Sequence, residues 1–86
     1  MRLCLPDYVQ LTEIKGKLVL LDCQKNFFYS VSNSGAEFLQ QIKEHGDMDK
    51  AIKSISSLFI ISDDQVRSDM NSFSDRLIQK GLIIKI

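Results

Sequence analysis

Few side chains in this 86-residue sequence are equipped for chemistry, and their spacing argues against most of it. The single histidine, His45, precedes Gly46 at an expected helix end. An imidazolium near the negative end of a helix dipole is a routine stabiliser there, so catalysis is not needed to explain it. Cys4 and Cys23 stand nineteen positions apart, and with one histidine and no second cysteine pair they make no four-ligand zinc site. Cys23 sits at a strand-to-turn junction with no histidine near it in sequence, the place of a packed or idle thiol rather than a nucleophile. Asp63, Asp64, Asp69 and Asp75 share a helix, where the first two complement its positive N-terminal end. The four glycines form no phosphate-cradling loop. No catalytic residue, metal site or cofactor is expected. What remains is the chemistry of the backbone. Phe27 to Val31 reads as a strand with Phe27, Tyr29 and Val31 on one face and Phe28 and Ser30 on the other. At a sheet edge its unpaired amides and carbonyls are an aggregation hazard unless something covers or uses them.

The elements that would position this strand follow from local pattern. Tyr8 to Thr12 alternates as a half-buried strand preceded by Pro6, and Lys15-Gly16 suits a tight two-residue turn. Leu18 to Leu21 is apolar without alternation, so both of its faces should be covered. Gln24-Lys25-Asn26 makes the next turn, with Asn26 as the left-handed residue, and leads into the aromatic strand. Three antiparallel strands in a meander is the simplest outcome.

After Val31 the period changes from two to helical. Ser34 and Glu37 have the spacing of a capping box, and Phe38, Leu39 and Ile42 face inward on a first helix that stops near Gly46. Asp47 caps a second helix with Ile52, Ile55, Leu58 and Phe59 on one face. Ser62 and Gln65 form another capping box, Ile61 and Val66 have the spacing of a hydrophobic staple, and Val66, Met70, Phe73 and Leu77 trace the apolar stripe of a third helix. Lys80-Gly81 ends that helix, and Leu82 to Ile86 closes the chain as a short strand. The expected fold class is α+β: a three-stranded antiparallel sheet followed by three helices, winged-helix-turn-helix-like, in one domain spanning residues 1–86.

Composition narrows the partners. The 44% apolar and 26% charged fractions are those of an ordinary folded domain, and a chain of this length buries roughly 60–65% of its unfolded surface, which leaves little room for an enclosed active site. Eleven basic and eleven acidic residues cancel, so no global field steers the chain towards nucleic acid or an anionic membrane. Nothing resembles a signal peptide and no apolar run approaches the ~20 residues of a membrane span, which points to a reducing cytoplasm and two free thiols. A winged helix also raises DNA binding as an alternative. Its third helix, however, carries Arg67 and Arg76 against four aspartates, a net charge of −2, and would face about one phosphate per 1.7 Å of duplex axis.

The order of these motifs resembles the PqqD-like family of RiPP recognition elements, small winged-helix-turn-helix domains that serve ribosomally made, modified peptides. The matching residues are the apolar strand ending in Leu21-Asp22, the pair Phe28-Tyr29 before Val31, and Ser34-Gly35-Ala36 opening the helix. Further on come Val66, Asp69, Met70, Phe73 and Leu77, then Gly81-Leu82. Ser32 stands where the family usually has asparagine and Asn26 where a turn glycine is common, and both still suit a cap or turn.

The resemblance implies a peptide-binding protein without catalysis. In such domains the leader segment of a precursor peptide adds as a strand to the edge of the third strand and lies between it and the third helix, a case of β-augmentation. Carried onto this sequence, Phe27, Phe28, Tyr29, Ser30 and Val31 would supply the edge and its aromatic floor, and Asp69, Met70, Phe73 and Arg76 the opposite wall. Taken singly, Phe28, Tyr29, Met70 and Phe73 suit a core equally well, and Asp69 and Arg76 a solvated surface. A proline at Tyr29 is expected to abolish binding by removing an edge amide.

At 86 residues the chain resembles the free-standing members. The lasso-peptide type is favoured, in which the leader is delivered to a transglutaminase-like leader peptidase beside an asparagine-synthetase-like cyclase. The PqqD type, partnering a radical-SAM enzyme, is the alternative. An exposed edge also leaves room for edge-paired homodimers.

Overall fold

The computed structural model describes residues 2–86. Three strands, β2 (Val9–Ile14), β3 (Lys17–Asp22) and β4 (Phe27–Ser30), form an antiparallel sheet in the order β2-β3-β4, as the pattern predicts. The β2–β3 turn is the two-residue kind: Lys15 and Gly16 both have positive φ, which matches the twist of the flanking strands. Asn26 is likewise left-handed at φ 60°. Beside it the Asp22 carboxylate, 1% exposed, accepts hydrogen bonds from the amides of Gln24 at 2.9 Å and Lys25 at 3.1 Å. That Asx-type turn fixes where β4 begins. At the centre of β3 both faces are covered: Val19 is 6% exposed and Leu20, on the other face, is fully buried.

A second, two-stranded sheet joins the ends of the chain. In it β1 (Leu3–Cys4) pairs antiparallel with β5 (Ile84–Lys85), which lies within the expected terminal strand. The pattern gave no sign of β1, because two residues carry no periodicity. The aromatic strand is therefore the fourth in sequence, although it is the third of its own sheet. Cys4 is half-buried, Cys23 is exposed, and both thiols are free.

The helices are α1 (Asn33–Glu44), α2 (Met48–Phe59) and α3 (Asp63–Gln79). Asp47 caps α2 by accepting from the amides of Asp49 and Lys50, and the Lys50 amide above all holds its carboxyl below the usual carboxylate range. Ser62 caps α3 through the Gln65 amide at 3.3 Å, but the Gln65 side chain donates onward to Asp69 rather than back to the cap. The α1 expectation is corrected. Ser32, with extended backbone, is the cap and accepts from the Gly35 amide at 3.2 Å, while Glu37 accepts from Gln41 instead of reaching back to Ser34. The strand ends at Ser30, so the helix can start two residues earlier than a Ser34 cap would allow. At the end of α1, His45 Nδ1 lies 3.0 Å from the Asp47 amide, from which it accepts, and Nε2 lies 2.8 Å from Gln41 Oε1, so the ring serves as a hydrogen-bonding cap.

The core lies where the sheet's inner face meets the three helices, with Leu20, Phe38, Leu39, Ala51, Ile52 and Leu82 wholly buried. Leu58, expected on the inward face of α2, is 63% exposed, because that face is centred on Ala51, Ile52 and Ile55. No helix among the described residues is long and apolar enough to cross a membrane.

Of the three non-glycine residues with positive φ among the described residues, Ile60 is the β-branched one and so the most strained. Ile60, at the C-cap of α2, has φ 54° and ψ 53° and is 92% exposed. A left-handed backbone costs a β-branched side chain about 1–2 kcal/mol, and no packing offsets it at this exposure. Ile60→Gly is expected to stabilise the domain by up to about 1 kcal/mol after the entropy of the added glycine is counted, read as a rise in the urea midpoint. An unchanged or lower midpoint would show that this backbone carries no steric cost.

Candidate functional site

β4 has β3 on one side only, so its other edge is unpaired. Which backbone groups that edge offers follows from the hairpin geometry. In a two-residue hairpin the closing pair, here Ile14 and Lys17, exchanges hydrogen bonds, and pairs alternate from there. Lys17, Val19 and Leu21 therefore bond towards β2, and the Cys23 amide continues the series by donating to the Tyr8 carbonyl at 2.8 Å. Leu20 and Asp22 bond towards β4, where their partners are Tyr29 and Phe27. The free edge thus consists of the amides and carbonyls of Phe28 and Ser30. Tyr29 uses its own inside the sheet, so the expectation that a proline there would remove an edge amide is corrected: the edge-removing position is Ser30 or Phe28.

The side chains alternate as the pattern predicts. Phe27, Tyr29 and Val31 are half-buried, whereas Phe28, 63% exposed, and Ser30 point the other way. Tyr29 and Val31 pack against the core, the Phe27 and Tyr29 rings lie 5.8 Å apart, and Lys80 Nζ stands 5.1 Å from the centre of the Tyr29 ring. That last distance is within cation–π range.

Across from β4 stands α3. Val66, Met70, Ser74 and Leu77 are its buried face, and Phe73, half-buried at its edge, meets Phe38 edge-on at 6.1 Å. Gly35 makes room for that ring: a Cβ there would lie 3.2 Å from Phe73 Cζ. Between the two elements runs an open cleft in two sections. One, of about 260 Å³, is lined by Tyr29, Ser30, Phe73, Arg76, Leu77 and Lys80. The other, of about 290 Å³, is lined by Ser32, Ser34, Gly35, Asp69, Met70, Ser72, Phe73 and Arg76. Phe73 and Arg76 belong to both, so the sections join.

The cleft brings together Tyr29 and Ser30 with Asp69, Met70, Phe73 and Arg76, the six sequence-predicted residues that line it. Met70 is mainly core, at 5% exposure. Val31 instead lines a roomier hollow of about 590 Å³ between the β2–β3 turn and α1, rimmed by Glu13, Lys17, Glu37 and Gln40. Phe27 and Phe28 line neither section, and Phe28 belongs to the opposite face of the sheet. Sequence reasoning missed Lys80, Leu77 and the α1 start at Ser32 to Gly35. In the sequence Lys80 reads as an ordinary helix end, yet it lies seven residues after Phe73 and four after Arg76, which puts all three on one helix flank.

Elsewhere on α3, Arg67 is tied to α2 by a 2.9 Å ion pair with Asp49. The Arg67 hydrogen bond holds the Asp49 carboxyl below its ordinary range, and Asp49 in turn raises the guanidinium. Among the described residues no three histidine, cysteine or carboxylate side chains converge as a metal would need.

A sequence profile for the family described as coenzyme PQQ synthesis protein D (PqqD) matches residues 17–83. No curated protein matches the chain. Two solved structures share its fold. One is TbiB1 in complex with the TbiA(beta) leader peptide, at 19% identity and a TM-score of 0.86 over 96% of each chain. The other is a lasso peptide synthetase B1 complexed with the leader peptide, at 13% identity and a TM-score of 0.86 over 99% of this chain and 100% of that one.

Proposed function

The chain belongs to the PqqD family, and from that premise we propose that it is a non-catalytic protein that captures the leader segment of a ribosomally synthesised precursor peptide by strand addition to β4. The observation that carries the reading is the unpaired edge of β4 facing α3 across an aromatic-floored cleft. A peptide strand entering there would satisfy the free groups of Phe28 and Ser30, and its alternate side chains would face Tyr29, Phe73 and Arg76. Backbone pairing would supply affinity with little regard to sequence, and the cleft would supply selectivity. That two proteins of this fold are each known in complex with a leader peptide supports the same ligand class here. The open, two-walled shape also suits an extended chain better than a small molecule, which is normally enclosed on most sides.

The finer assignment is a lasso-peptide pathway, in which the bound leader is delivered to a transglutaminase-like leader peptidase, and the cyclase acts beside it. A PqqD-type role as peptide chaperone for a radical-SAM enzyme uses the same edge and is separated from it by which enzyme co-purifies. In either case the protein works in the cytoplasm, where ribosomal precursors are made, and with no ligand bound the free edge favours edge-paired homodimers at high concentration. DNA binding is disfavoured by α3 itself, since one of its two arginines is engaged by Asp49 while its aspartates stay exposed.

Fluorescence anisotropy with synthetic leader peptides from small open reading frames beside the gene tests the reading, with a random DNA duplex alongside at low and at physiological salt. Saturable leader binding that survives the higher salt is expected. Salt-sensitive DNA binding with no leader binding would overturn it, because phosphate contacts release counterions and strand pairing does not.

A further inference from the structure

The cleft is charged unequally along its length. β4 and α3 run antiparallel past each other, so that Tyr29 lies opposite Lys80 and Arg76, while Ser32 to Gly35 lie towards Asp69. The section beside Tyr29 is lined by two cations and no carboxylate. Both cations are exposed, and neither forms an ion pair among the described residues, where Arg67 with Asp49 is the one such pair. Lys80 Nζ moreover stands over the Tyr29 ring, 5.1 Å from its centre, which places the ammonium at the cleft wall.

Strand pairing turns this into a statement about sequence. A strand added to β4, in either direction, places the residue opposite Tyr29 on the same face as Tyr29, towards α3. That one side chain meets Arg76 and Lys80 in a partly desolvated groove floored by Tyr29, Phe73 and Leu77. We propose that the cleft selects peptide strands bearing an aspartate or glutamate at the inward position opposite Tyr29, which Arg76 and Lys80 bind together. An Arg–carboxylate contact there is charge-assisted and directional, and a lysine at the same peptide position would meet two like charges. The inference rests on the strand-addition reading and adds to it the chemistry of the preferred ligand.

The test is selection from a random-peptide display library on the wild-type protein, on Arg76→Glu/Lys80→Glu and on Ser30→Pro, followed by anisotropy with the enriched peptides. Wild-type selections should converge on an acidic residue at one position, and changing it to lysine should weaken binding at least about tenfold. The charge-reversed protein should instead enrich lysine or arginine there and recover the swapped peptide. Arg76→Gln/Lys80→Gln, which puts no carboxylate at the helix end, should lose the acidic preference without gaining a basic one. Peptides that need the β4 edge, shown by loss of binding to Ser30→Pro, but carry no acidic preference would overturn the inference and leave strand addition standing. Failure to enrich any peptide, or peptides that bind Ser30→Pro as well as wild type, would overturn both.

Discussion

Ser30→Pro is expected to leave the domain folded and to weaken leader capture severely. The Ser30 amide points out of the sheet, so replacing it removes no hydrogen bond within the fold, and proline is tolerated at such edge positions. For an incoming strand the same change removes one of the edge donors and puts a pyrrolidine ring where the peptide backbone must approach. A loss of about two orders of magnitude in affinity is expected, measured by anisotropy, with thermal unfolding shifted by only a few degrees. Tyr29→Pro is the contrasting case. Its amide points inward to Leu20 on the central strand, and leaving that partner unsatisfied should cost about 1–3 kcal/mol. For a domain whose total stability is on the order of 5–10 kcal/mol, the loss of binding in that variant would report unfolding as much as the edge. A folded Ser30→Pro that binds leader normally would mean that the peptide does not pair with β4.

Phe73→Ala carries the second largest effect, because one ring serves both packing and the cleft. It is half-buried, meets Phe38 edge-on, fills the space Gly35 leaves open, and lines both sections of the cleft. Fully buried Phe→Ala changes cost about 3–5 kcal/mol, so about 2–3 kcal/mol is expected for this partly exposed ring. Chemical denaturation measures that loss. Leader affinity, taken under conditions where the variant is still folded, should fall by more than about tenfold as the α3 wall is lost. Unchanged affinity in a destabilised protein would leave Phe73 in the core and move the peptide away from α3.

Most of the architecture was legible because it is written in local chemistry. Lys15-Gly16 and Asn26 announce the two sheet turns through residues that tolerate positive φ, and Asp47 and Ser62 announce α2 and α3 through side chains that can cap. The face of the aromatic strand was legible for the same reason: alternation over Phe27 to Val31 leaves only two ways to place it.

What was hidden depends on tertiary context. The Leu3–Cys4 strand exists only because Ile84–Lys85 comes back to pair with it, across nearly the whole chain. Ile60 occupies a left-handed position that glycine usually marks, so the α2 end carries no sign in the sequence. At the start of α1, Ser32 and Ser34 are both able to cap, and the end of β4 decides between them. Within the site, the aromatic residues drew attention to β4 but could not say which backbone groups were free, since that depends on register with β3. Lys80 reads only as a helix end in the sequence, because its position above Tyr29 comes from how α3 crosses the strand.

The central claim, that a peptide adds as a strand to β4, is tested most directly by amide hydrogen exchange read residue by residue, with and without a bound leader peptide. The Phe27 and Tyr29 amides, paired with β3, should be protected in both states, and those of Phe28 and Ser30 should exchange quickly in the free protein and become protected on binding. Saturable binding that leaves Phe28 and Ser30 exchanging freely would contradict strand addition.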